Sequence, residues 1–298
     1  MSIENDILNE SRSEWGGPWT ETKLNTFSKY VRSYLAIMKK NPYWKIIYFD
    51  GFAGSGNRKE KCKSPLFRQL QITLQEYHVY KGSAERVLKI DNDYSFDLYY
   101  FIDTNEESLK KLEGKLRSLP EINTEKLNFR PGDCNKWLFE LSKALSSGKY
   151  AALVLLDPFG MQINWDSIAS LKGTRSDIWI LVPTGVIVNR LLNRNGELKQ
   201  IDKLQSFFGL SGEEIQNSFY IKEIQSTLFG EQEVTNKIIR PIEQIAKIYI
   251  RQLKTIWNNV TEDPLILYNS RGVPIFHFIF ASNNQFATKI ARQIIKSR

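Results

Sequence analysis

Along residues 20–40 the apolar positions Leu24, Phe27, Tyr30, Val31, Tyr34, Leu35 and Met38 recur at three- and four-residue spacing. That spacing predicts an amphipathic helix, with Thr20 as its cap. The pattern then changes. KIIYFD is a short apolar run leading into a glycine-rich turn, and LYYFID is a second run followed by an amphipathic helical stretch. LNFRPGDCNKWLFELSKAL reads as a third strand, a Gly-Asp turn and a helix. AALVLLDPFG is almost wholly apolar, as a strand buried on both sheet faces must be, and DIWILV is a fifth strand. Strands alternating with helices at this spacing predict a doubly wound, mostly parallel sheet.

The rhythm breaks over 195–258, a polar stretch that is helical by pattern, as in RPIEQIAKIYIRQLKTIW. PLILYNS and PIFHFIFAS, joined by RGV, predict an antiparallel hairpin at the sheet edge, and QFATKIARQIIKS a last helix. Five strand–helix units, an insertion and a closing hairpin is the order of the Rossmann-like class I methyltransferase fold, a seven-stranded α/β sheet. The expected division is a flexible tail over 1–18 and a cofactor-binding core over 19–194. A basic helical insertion for substrate or partner follows over 195–258, then the closing hairpin and helix over 259–298.

Composition narrows the function classes. The chain has 298 residues, 42% apolar and 25% charged, enough for a sizeable core. It has no apolar run of the roughly 18 residues a membrane span needs, and its start is not a signal peptide, so a cytoplasmic protein is expected. Cys62 and Cys134 read as reduced thiols, and no ligand spacing suggests a metal. The net charge of +8 favours a polyanionic partner, nucleic acid first.

Four constellations carry chemistry. Asp50-Gly51-Phe52-Ala53-Gly54-Ser55-Gly56 follows the first strand, where glycines let backbone approach a ligand; a plain tight turn is the rival reading. Asp103 ends the second strand, where a carboxylate holds ribose hydroxyls; it could equally cap the following helix. Asp133, beside Cys134, either accepts an adenine amine or caps its helix. Asp157-Pro158-Phe159-Gly160 ends the fourth strand: Asp157 and the Pro158 carbonyl can accept two hydrogen bonds from an attacking amine, and Phe159 can stack on a base; a turn in which Pro158 and Gly160 only end the strand is the rival reading. Lys23 reads as a solvated helix lysine able to reach a ligand carboxylate or phosphate. His277 reads as a satisfied sheet histidine, and Trp137, Trp165, Trp179 and Trp257 as core. Ser64-Pro65-Leu66 reads as a helix cap that could lie near the cofactor.

The segments WTETKLNTFSKYVRSYL, YFDGFAGSG, SPL, FID, GDCN, LDPFGM and IWILVPTGVIVNR resemble the three-Cys-motif partner proteins over residues 15 to 194. That resemblance implies an S-adenosyl-L-methionine-dependent methyltransferase whose companion is a three-cysteine protein of the radical S-adenosylmethionine type, with a role in phage defence. More distantly the chain is similar to amino-methyltransferases acting on adenine N6 or cytosine N4. Their first motif is matched by Phe52, Gly54 and Gly56. Their Asp/Asn-Pro-Pro-aromatic motif is matched at Asp157 and Pro158, with Phe159 in place of the second proline. The expected function is methyl transfer to an exocyclic amine of a DNA or RNA base. Rival expectations are a non-catalytic partner subunit and a nucleoside- or protein-directed methyltransferase. An NAD-dependent dehydrogenase ranks last, because the glycine spacing is not G-x-G-x-x-G.

Overall fold

A computed structural model describes residues 18–54, 82–90, 94–120, 122–158, 160–193, 196–227, 230–269 and 271–297. Gly56, Phe159 and Ser64-Pro65-Leu66 lie outside the described residues.

The strands are β1 (Lys45–Asp50), β2 (Leu98–Asp103), β3 (Leu127–Pro131), β4 (Tyr150–Leu156), β5 (Ser176–Val182), β6 (Tyr220–Thr227), β7 (Gly230–Lys237), β8 (Asn259–Val260), β9 (Leu265–Tyr268) and β10 (Pro274–Ser282). The main sheet runs β3-β2-β1-β4-β5-β10-β8, with β9 also on β10. β3, β2, β1, β4 and β5 pair in parallel, while β10 is antiparallel to β5, β8 and β9. The doubly wound, mostly parallel α/β sheet with a closing hairpin is therefore present. It has eight strands rather than seven because the edge is laid down in two pieces. β8 meets one end of β10 and β9 the other, with Thr261 still exchanging bonds with Phe280 between them. Asp263-Pro264 separates the pieces, and a proline lacks the N–H to continue a ladder.

Alternate residues of each strand feed opposite layers. Tyr48, Phe101, Leu153, Leu155, Trp179, Phe278 and Phe280 face one layer, built on α1 (Pro18–Lys39), α3 (Glu106–Arg117) and α10 (Gln285–Lys296). α2 (Ser83–Leu88) joins it through Ala84 and Val87. Phe49, Ile102, Val154, Leu156, Ile180 and Ile279 face the other, built on α4 (Cys134–Ser146), α5 (Trp165–Ala169), α7 (Ile201–Phe208), α8 (Gly212–Phe219) and α9 (Pro241–Leu253). α6 (Val186–Leu191) lies between β5 and α7 in the chain. α1 begins two residues before Thr20, with Pro18 in its first turn, where a missing N–H costs nothing. Thr20 is therefore inside the helix and not its cap.

The stretch expected to be helical holds α7, α8 and α9, but also the antiparallel ribbon β6–β7, whose described side chains are largely exposed. Nor is that stretch basic: residues 195–258 carry eight Lys or Arg and eight Asp or Glu, a net charge of zero. Trp165, Trp179 and Trp257 are core as expected, whereas Trp137 is only half-buried and donates its indole N–H to the Pro131 carbonyl. No described helix is long and apolar enough to cross a membrane.

Candidate functional site

Parallel strands deliver their carboxyl ends to one edge, and loops beyond that edge are where such sheets hold ligands. β1 ends in Asp50, β2 in Asp103 and β4 one residue before Asp157, so three carboxylates separated by about fifty residues in sequence meet there.

Asp50 is fully buried and accepts three neutral donors: the Phe52 amide at 3.2 Å, the Tyr48 hydroxyl at 3.2 Å and the Ser83 hydroxyl at 3.0 Å. The first of these closes a turn of side chain onto backbone, which shapes the glycine-rich loop. Burial pushes the Asp50 carboxyl up to about 6, despite those bonds and with the Asp157 charge adding to the rise. Ser83, on α2, carries no motif that would single it out in sequence.

Beyond Asp50 the loop is tied to β2. The Ala53 amide bonds the Ile102 carbonyl, and the Gly54 amide donates to Asp103 Oδ2 at 2.8 Å. Gly54 has φ of +63°, a conformation that favours glycine. Gly51 has a different reason to be glycine: a Cβ there would lie 2.5 Å from Cys134 Sγ and 2.8 Å from Leu156 Cδ2. Packing fills its space, and the Cys134 thiol that fills it is buried and pushed well up by desolvation.

Asp103 also accepts the Asn105 amide through Oδ1 at 2.7 Å. The cap of α3 is Asn105, which accepts the Ser108 amide, so Asp103 orders the approach to the helix without capping it. Asp103 is half-buried, and each of its oxygens keeps further acceptor capacity. Asp133 is exposed and caps α4, accepting both the backbone and side-chain N–H of Asn135 at 2.9 Å.

Asp157 is buried, and its Oδ2 receives the Lys23 ammonium at 2.5 Å. Lys23 is buried as deeply, against the expectation of a solvated lysine. Its Nζ also lies 5.9 Å from the Trp19 ring centroid, and Trp19 packs on Phe276 of β10. Burial lowers the Lys23 pKa even though Asp157 and Asp50 both pull it up. The signal for Lys23 was in the sequence. Lys23, Phe27, Tyr30 and Tyr34 recur at helical spacing, so this lysine lies on the apolar stripe of α1.

Past β5, the buried Thr184 hydroxyl meets His277 Nδ1 at 2.6 Å, so His277 is the satisfied sheet histidine expected. Burial holds its imidazole down at about 4. Among the described residues no group of His, Cys, Asp and Glu could hold a metal ion.

A scan of protein-family models and a search of curated proteins returned no match. Among solved structures the chain is similar to protein LPL1258 of family-model DUF519 from Legionella pneumophila, at 13% identity and a TM-score of 0.38, covering 88% of this chain and 97% of that one. It overlaps Trm1 from Pyrococcus horikoshii, solved as a complex with S-adenosyl-L-methionine, at 10% identity and a TM-score of 0.39, covering 92% of this chain and 58% of that one. The methyltransferase domain of bacterial CtHen1 overlaps at 14% identity and a TM-score of 0.30, covering 72% and 100%. Overlaps this loose assign no activity.

Proposed function

We propose that this chain is an S-adenosyl-L-methionine-dependent methyltransferase acting on an exocyclic amine of a nucleic-acid base. The carrying observation is the sheet edge itself. A positive-φ glycine turn is tied to the carboxylate at the end of β2, and Asp157-Pro158 is presented one strand away, in a sheet of order 3-2-1-4-5 with an antiparallel closing strand.

The described residues fit the cofactor. Asp103 has acceptor capacity for ribose hydroxyls, Gly54 has no side chain of its own to meet the methionine portion, and Asp133 is exposed for the adenine amine. When bound, S-adenosylmethionine supplies an electrophilic methyl group. Asp157 and the Pro158 carbonyl accept the two N–H bonds of the acceptor amine and turn its lone pair toward that methyl, a gain from positioning. Phe159, next in the chain, is the aromatic residue assigned to the base. Phosphate contacts are assigned to residues 55–81, because that segment carries six Lys or Arg and two Asp or Glu, a net +4 of the chain's +8.

Calorimetry with S-adenosylmethionine tests the cofactor: micromolar binding is expected, abolished by Gly54→Val and weakened at least tenfold by Asp103→Ala. No binding at millimolar cofactor sinks the reading. Transfer of labelled methyl to DNA or RNA is expected to be lost in Asp157→Ala, and transfer that survives this change removes Asp157 from its role. A second reading is favoured by the ion pair already seated on Asp157: the fold binds cofactor without catalysis, as the assembly subunit of a partner such as the three-cysteine protein. A stoichiometric complex that transfers no methyl would decide for it.

A further inference from the structure

The amino ends of β4 and β5, at the opposite edge of the sheet from Asp157, border a cavity of about 710 Å3. It is lined by the last turn of α1, the start of β5 and the start of α10, with Tyr34, Met38, Trp44 and Phe286 making much of the lining apolar. A volume in this range suits a small organic ligand.

Two opposite charges line the cavity. Asp177 is half-buried, and its bonds run to neutral hydroxyls: Tyr30 donates to Oδ2 at 2.7 Å and Ser282 to Oδ1 at 2.5 Å. Burial raises the Asp177 carboxyl in spite of them. Arg175 is exposed, its guanidinium 3.9 Å from the Trp44 ring centroid. Among the described residues neither side chain forms an ion pair. The Arg175 carbonyl accepts the Ala152 amide of β4, so Arg175 and Asp177 lie two apart on one strand line. They therefore share a face, with Cα atoms roughly 7 Å apart.

We propose that this cavity binds a free zwitterionic amino acid with a large apolar side chain, its ammonium on Asp177 and its carboxylate on Arg175. Each Asp177 oxygen keeps acceptor capacity beyond its hydroxyl bond, and an ammonium brings three donors. The forked N–H groups of Arg175 match a carboxylate. The first turn of α10 also lines the cavity, and its dipole favours the same carboxylate. A ligand with one charge leaves the other protein charge uncompensated and meets a like charge beside its own. The apolar lining receives the side chain. No residue is shared with the carboxyl edge, so the site does not rest on the methyltransferase reading.

Calorimetry on the full chain uses L-phenylalanine, L-leucine and L-tryptophan as probes. At least one is expected to bind with Kd below about 1 mM. The matching amine without the carboxylate, and the matching acid without the ammonium, are expected to bind at least roughly tenfold more weakly. Arg175→Gln and Asp177→Asn are each expected to weaken binding about tenfold or more, with thermal unfolding checking that each variant is folded. Arg175→Gln, at an exposed position, decides alone if loss of the carboxylate unfolds the Asp177 variant. Absence of binding by all three amino acids at about 10 mM overturns the proposal. So does equal binding of a one-charge analogue, or binding unchanged in Arg175→Gln. Failure of S-adenosylmethionine to bind bears on the proposed function and leaves this result standing.

Discussion

Two buried residues near the sheet edge titrate in the same range with opposite effects on stability. Asp50 has its carboxyl raised from 3.8 to about 6, so the folded state binds the extra proton and stability falls as pH rises through that window. His277 is lowered from 6.5 to about 4, so the unfolded state binds the extra proton and stability is lost as pH falls through its window. Each amounts to about 3 kcal/mol at most, and between pH 4 and 6 they nearly cancel. Denaturant unfolding across pH should expose the balance. Asp50→Asn is expected to leave a protein that loses stability steadily from pH 6 to 4, and to be more stable than wild type at pH 7. His277→Gln should tilt the profile the other way. A parallel profile in both variants would refute the assignment. Asp50, Asp103 and Asp157 were legible in the sequence because each closes an apolar run. Their partner Ser83 comes from elsewhere in the chain and was not; the burial of Lys23 was legible on the apolar stripe of α1, but its pairing with Asp157 was not.

At the scale of elements, α1 was legible because one face is apolar at helical spacing, and the hairpin β9–β10 because two apolar runs flank a short polar turn. Asn269 closes that turn, accepting the Arg271 and Val273 amides. The ribbon β6–β7 was not legible. Its strands YIKEIQST and GEQEVTNK expose residues on both faces, so no core selected an alternating pattern. Its anchor is Lys237, which donates to the Asn189 and Leu192 carbonyls. Replacing residues 223–234 by Asn-Gly joins the paired residues Lys222 and Thr235 through a two-residue turn. Thermal unfolding of that variant is expected to stay within a few degrees of wild type, since little apolar surface is removed from the core. A drop beyond about 10 °C would mean the ribbon is part of the cooperative fold.

Across the whole molecule, charge is distributed differently from the expectation of a basic insertion. The stretch 195–258 is neutral overall, while half of the net charge falls in 55–81, directly after the glycine turn in the chain. Under the proposed function, nucleic-acid affinity is expected to depend on Lys59, Lys61 and Lys63. Changing all three to Gln should lower the slope of log K against log salt by about 3 if each meets a phosphate. Changing Lys199, Lys203 and Lys247 should leave it. Equal effects from the two triple variants would return the contact to the insertion.

Outside 195–258, the sequence by itself determined the order of strands and helices, the doubly wound sheet, the closing hairpin and the strand ends that carry acids, because periodicity and burial on both faces leave few other arrangements for such runs. Only the tertiary structure decided what those acids do locally. It placed Asp103 against the Gly54 amide, made Asp133 a helix cap and spent the room at Gly51 on Cys134. It also set Lys23 on Asp157. Apart from the Asp133 cap, which is local, each of these is a contact between residues brought together by chain crossovers, and no local pattern encodes the partner on the far side of a sheet.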